Sequence, residues 1–118
     1  MHRDRGVSSL LVSAVVLVVL VLAGAGSLIA GYAVSAHRAR GAADLAAVSA
    51  AGRHSSGGEG CPAARRVAEA HGASVRRCTE VGDRIDFVIS VEVAVPVRAP
   101  APGLPTEAVA RAHAGRLN

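Results

Sequence analysis

The chain has 118 residues, a formal net charge of +4 and an apolar content of 51%, with one Tyr, one Phe and no Trp. All 13 basic residues are Arg, scattered except for the pairs Arg65-Arg66 and Arg76-Arg77, and no aromatic side chains interleave with them; that pattern excludes a base-stacking nucleic-acid binder, and the pairs read as solvated faces of a helix and a strand. Ala and Val dominate, so any core is made of small side chains, and the segment beyond residue 40 suffices for one small domain that a covalent staple would help.

Residues 1–6 read as a short cytoplasmic N-terminus carrying Arg3, Asp4 and Arg5. From Val7 to Ala36 no residue is charged. As a helix this run reaches roughly 45 Å, against a hydrocarbon core of about 30 Å, so 7–36 is expected to span a membrane. A cleavable export signal has an apolar core of only about 7–15 residues, and the small-residue site Val34-Ser35-Ala36 lies far from the charged start, so retention is expected. Within the run Ala23, Ser27 and Gly31 recur every four residues, a spacing that lets helices pack closely; the general abundance of Gly and Ala in membrane helices explains it equally well.

The basic residues flanking the run are nearly balanced and do not set its direction. The cysteines do. Cys61 and Cys78, the only two, both follow the anchor. A disulfide between them closes a loop of about 18 residues and contributes on the order of 3 kcal/mol; two buried free thiols are the alternative. Because disulfides persist outside the cytoplasm, the expected arrangement is a single-pass chain in the cell membrane with its N-terminus inside and its head outside.

Residues 37–52 continue as a helical stalk, with Ala43, Ala46, Ala47 and Ala50 in one stripe, so that a single helix is expected from about Ser8 to Ala51. A Gly/Ser loop over 53–60 ends it. The segment 61–98 forms a small exported head. Pro62 opens a short helix running to His71, with Gly72 as its stop. A strand at Ser74–Glu80 and a turn at Val81-Gly82-Asp83-Arg84 follow. A second strand comes next, with Ile85, Phe87, Ile89, Val91, Val93, Val95 and Val97 on one face. The Pro/Ala-rich stretch 99–118 reads as a C-terminal tail, in which Thr106 caps a last helix at Glu107–Ala114. The fold class is α+β: a long transmembrane helix extended into a stalk, then a helix-plus-hairpin head with an expected disulfide.

Catalytic chemistry is not legible. No Ser, His and acid stand at a recognisable spacing, no phosphate loop is present, and two cysteines alone do not complete a zinc site. No catalytic, cofactor-binding or metal residues, and no small-molecule substrate, are expected.

The succession Asp4-Arg5-Gly6, a long apolar helix, then Ala42-Ala43-Asp44-Leu45-Ala46-Ala47, a Cys, a short Ala-rich helix, a second Cys and a valine-rich strand resembles the TadE/TadG-like proteins of actinobacteria over nearly the whole chain. The resemblance implies a non-enzymatic, pseudopilin-like component of Flp (tight adherence) pilus assembly or a related secretion system. Its partners would be the membrane and other pilus or secretion subunits, met through helix packing. It also implies prepilin-type processing after Gly6, which would leave Val7 first. The chain departs from that pattern at the fifth residue onward, which is Leu11 where prepilins commonly carry Glu; the first Glu here is Glu59. A single-pass envelope binding module and a small regulatory subunit of another membrane complex are the other classes open to such a sequence.

Overall fold

The computed structural model describes residues 2–98 and 102–117, with side chains described from Gly6 onward. Asp4 and Arg5, and the linker residues Ala99 to Ala101, therefore contribute no side-chain geometry. The chain divides into two compact units, Met1–Gly31 and Tyr32–Asn118. Helix α1 (His2–Ser55) contributes residues to both.

In the first unit α1 is apolar on every side. Leu10, Leu17, Leu20 and Ile29 are all exposed, and none of the most apolar stretch is buried. The helix is long and apolar enough to cross a membrane. Two of its hydroxyls are satisfied within it: Ser13 Oγ donates to the Ser9 carbonyl and Ser27 Oγ to the Ala23 carbonyl, both at 2.9 Å. Internal satisfaction of this kind is what a hydrocarbon environment demands of polar groups.

The second unit combines the C-terminal part of α1, helix α2 (Gly60–Ala70) and three antiparallel strands, β1 (Ser74–Gly82), β2 (Phe87–Pro96) and β3 (Glu107–Arg116), in the order β1-β2-β3. The α+β class stands. Strand β2 is central because it has the most apolar alternation, and Phe87, Ile89, Val91, Val93 and Val95 are buried on its inner face. Removing each such side chain from water stabilises the fold by about 1.5–3 kcal/mol. Ile85, expected at the start of that row, instead lies exposed in the turn, and Val97 follows the last strand residue.

The helix expected over 37–52 forms as the continuation of α1, and its alanine stripe is covered. Ala39, Ala42, Ala43, Ala46, Ala47 and Ala50 are all at most 2% exposed and join the inner-face valines in one core. A methyl-sized stripe at helical spacing lets a helix settle close to a sheet. The loop expected over 53–60 is shorter, because α1 persists to Ser55 and α2 begins at Gly60.

The expectation for the tail is corrected outright. Residues 107–116 are neither a tail nor a helix but the third strand, paired with β2 from Phe87↔Arg116 to Pro96↔Glu107. Thr106 caps nothing; its carbonyl accepts the Val97 N–H at 2.8 Å and extends the ladder. Alanine favours helix, but here Ala108, Ala110, Ala112 and Ala114 alternate with Glu107, Val109, Arg111 and His113. That period of two matches the exposed flank of β2, and pairing outweighs propensity. The head sheet therefore has one strand more than a hairpin.

Candidate binding face of the head sheet

The sheet's inner face is spent on the core, so its chemistry lies on the outer face. The register there depends on an irregularity in β1. Val75 pairs with Val93, but the next pair is Arg77↔Glu92, leaving Arg76 as an extra residue. Such a bulge re-aims neighbouring side chains. Beyond it the outer face is laid out in rows. Arg77, Glu92 and Arg111 occupy one row across the three strands, and Thr79, Ser90 and His113 the next.

Within these rows the contacts are specific. Arg111 Nε donates to Glu92 Oε2 at 2.9 Å; Glu92 is largely covered, with its side chain 18% exposed, while Arg111 reaches outward at 68%. Ser90 Oγ lies 2.7 Å from His113 Nδ1. With Nδ1 bare the hydroxyl donates, and with Nδ1 protonated it accepts. Arg76, at the bulge, pairs with Glu107 and bridges the two outer strands over β2. Ala94 is buried there, although its neighbours Val93 and Val95 point to the core. A groove of about 210 Å³ runs between the two rows, lined by Arg77, Thr79, Ser90, Glu92, Arg111 and His113.

The Ser90–His113 contact has the composition of a nucleophile and a base, and the groups beside it are engaged elsewhere. Strand β2 is paired on both sides, so the backbone N–H groups around Ser90 are committed to the ladder and not free to receive an oxyanion. The carboxylate in the next row is held by Arg111 rather than orienting the imidazole.

A second polar cluster braces the fold. Glu80 Oε1 accepts the Gly60 N–H at 2.7 Å and so caps α2 from across the unit, while the N-cap residue Glu59 makes no side-chain cap. His54, in the last turn of α1, packs its ring at a tilt against Phe87, with centroids 4.3 Å apart, and its Nε2 donates to the Asp83 carbonyl at 2.9 Å. Its Nδ1 lies 3.6 Å from Glu80. At the β1–β2 turn Asp83 Oδ1 accepts the N–H groups of Asp86 and Ile85. These bonds, Asp86 first, hold its carboxyl below the usual aspartate range.

The expected cysteine pair is brought together. Cys61 in the first turn of α2 and Cys78 on the inner side of β1 stand at disulfide distance, with Cα atoms 5.8 Å apart. The bond fastens helix to sheet. Ala23 and Gly31 are exposed on α1, as is Ser27, and a Cβ on Gly31 would meet nothing within 4 Å. Gly6 and Val7 are likewise uncovered by the rest of the chain. Of the stretch after the anchor, Ala42, Ala43, Ala46 and Ala47 are core residues, whereas Asp44 and Leu45 face outward. Among the described residues no group of three or more His, Cys, Asp or Glu is placed to hold a metal ion.

The Ser90–His113 and Glu92–Arg111 contacts escape sequence reading because each joins β2 to a strand expected as helix. The signal was the two-residue alternation from Glu107 to Ala114. Comparison with family models, with curated proteins and with solved structures finds no match for this chain.

Proposed function

We propose that the chain is a non-enzymatic, membrane-anchored assembly component, pseudopilin-like and of the TadE/TadG type. It is held in the cell membrane by residues 7–36 with its N-terminus cytoplasmic and its head extracytoplasmic. The observation that carries this reading is the continuity of α1: one unbroken helix supplies both the largely exposed apolar run and the alanine stripe of the head's core. A cut after Gly6 would remove neither. The cysteine pair at bonding distance supports an oxidising compartment for the head. The open spacing of Ala23, Ser27 and Gly31 supports contact with other membrane helices. The succession of motifs from Gly6 to Cys78 supports a place in Flp pilus assembly or a related secretion system.

Crosslinking of the full-length chain in its native membrane tests this. Recovery of pilin or of pilus-platform proteins is the expected result; an uncrosslinked monomer contradicts an assembly role. Sizing the mature chain reads the processing step, since cleavage leaves Val7 as the first residue. A second reading, a single-pass envelope binding module, is favoured by one observation, the arginine-lined groove on the head.

A further inference from the structure

We propose that the outer face of the head sheet is a binding site for a phosphorylated polyol or saccharide, held with its phosphate against Arg77 and Arg111 and its hydroxyls against the adjacent row. The inference uses only the geometry of the second unit and goes beyond the assembly role.

Three features of the face converge on this chemistry. The first is charge. Arg77, Glu92 and Arg111 share a row, so two guanidinium groups flank one carboxylate and leave a positive excess. Glu92 bonds Arg111 through Nε, which leaves the two terminal nitrogens of Arg111 as an outward-facing donor pair. Among the described residues Arg77 makes no ion pair, and it is exposed on the far side of the same groove. A guanidinium fork matches the oxygens of a phosphate or carboxylate and binds them more strongly than a neutral donor does.

The second feature is the neighbouring row. Thr79, Ser90 and His113 lie two residues along the strands, about 7 Å away. They present two hydroxyls and an imidazole, which donate to and accept from ligand hydroxyls. Charged and hydroxylated rows side by side complement a ligand in which an anionic group adjoins hydroxyl-bearing carbons. The third is the space between them. The groove measures about 210 Å³ and opens to solvent along one side, so a phosphate can lie against the arginine row with its attached hydroxylated carbons over the next.

Arg76 and Glu107 pair across the outer strands beside this face. Glu92 acts as a positioning residue, steering Arg111. The other adjacent arginine pair, Arg65-Arg66 on the exposed side of α2, has no such row beside it.

The test titrates the full-length chain, in zwitterionic nanodiscs, with a glycerol phosphate oligomer. Inorganic phosphate, a carboxylate polymer (polygalacturonate) and phosphatidylglycerol vesicles serve as comparison probes. The oligomer is expected to bind most tightly, inorganic phosphate more weakly. Arg77→Gln and Arg111→Gln are each expected to weaken oligomer binding about tenfold or more, while the double variant Arg65→Gln/Arg66→Gln leaves it within about twofold. Amide spectra of each variant report that the sheet is retained; should one Arg variant lose its fold, the other and Thr79→Val still read the site. Equal losses for the α2 variant would reduce the face to non-specific charge and overturn the site. So would preferential binding to polygalacturonate or to the vesicles, or an unchanged affinity in both Arg variants.

Discussion

Asp83 shows how one side chain sets the geometry of a turn. Its carboxylate accepts two backbone N–H groups, from Asp86 and Ile85, and its own N–H returns a bond to the Asp86 carbonyl at 2.9 Å. Because these bonds favour the ionised form, the folded-state pKa lies below the ordinary value of about 3.9. The resulting stabilisation is present above that value and is lost as pH falls through the lower folded value. Melting temperature should therefore drop on acidification from about pH 4 downward. Asp83→Asn should flatten that part of the profile, which thermal unfolding at a series of pH values reads. Gly82, beside it, has φ of +112°, and a Cβ there would meet the Asp86 carbonyl oxygen. Gly60 is constrained differently, by closeness: a Cβ would strike Glu80 Oε1, the Ala50 carbonyl and Ile89. Gly60→Ala should cost about 1–3 kcal/mol in denaturant unfolding, although alanine is the better helix former.

Among the elements, α1 and β3 carry the main lessons, and each makes alanine mean something different. In α1 the buried alanines recur at helical spacing and fit a helix against β2. Enlarging one should force helix and sheet apart: Ala46→Leu is expected to destabilise the head by about 1–3 kcal/mol or more, whereas Val48→Leu, on the exposed side, should be near neutral. Chemical denaturation of both variants separates the outcomes. In β3 the alanines recur every second residue, the weaker and less familiar signature for a residue that prefers helix. The anchor, α2, β2 and the cysteine pair were legible in the sequence because each rests on a local pattern of period, Pro, Gly or Cys. What was not legible was long-range. What covers the 37–52 stripe is a sheet built from later residues, a matter of tertiary context and not of local propensity. The outer-face rows likewise exist only once β3 has chosen β2 as partner and the bulge at Arg76 has shifted the register.

At the scale of the molecule, a head with so few large side chains needs a covalent aid. The largest fully buried residues are only Ile89, Val91 and Val93. The Cys61–Cys78 bond ties α2 to β1 across a separation of 17 residues. Replacing both cysteines with Ser should lower head stability by about 3 kcal/mol, enough to bring a marginal small domain near unfolding. Loss of the same transition on adding reductant to the unaltered chain would support the same conclusion. The central claim is that residues 7–36 stay in the bilayer while the head lies outside it. It is tested most directly by adding protease to intact spheroplasts carrying the full-length chain with a C-terminal epitope. The account predicts that the epitope disappears without lysis while a membrane-embedded N-terminal fragment survives. An epitope protected until the cells are broken open would contradict it.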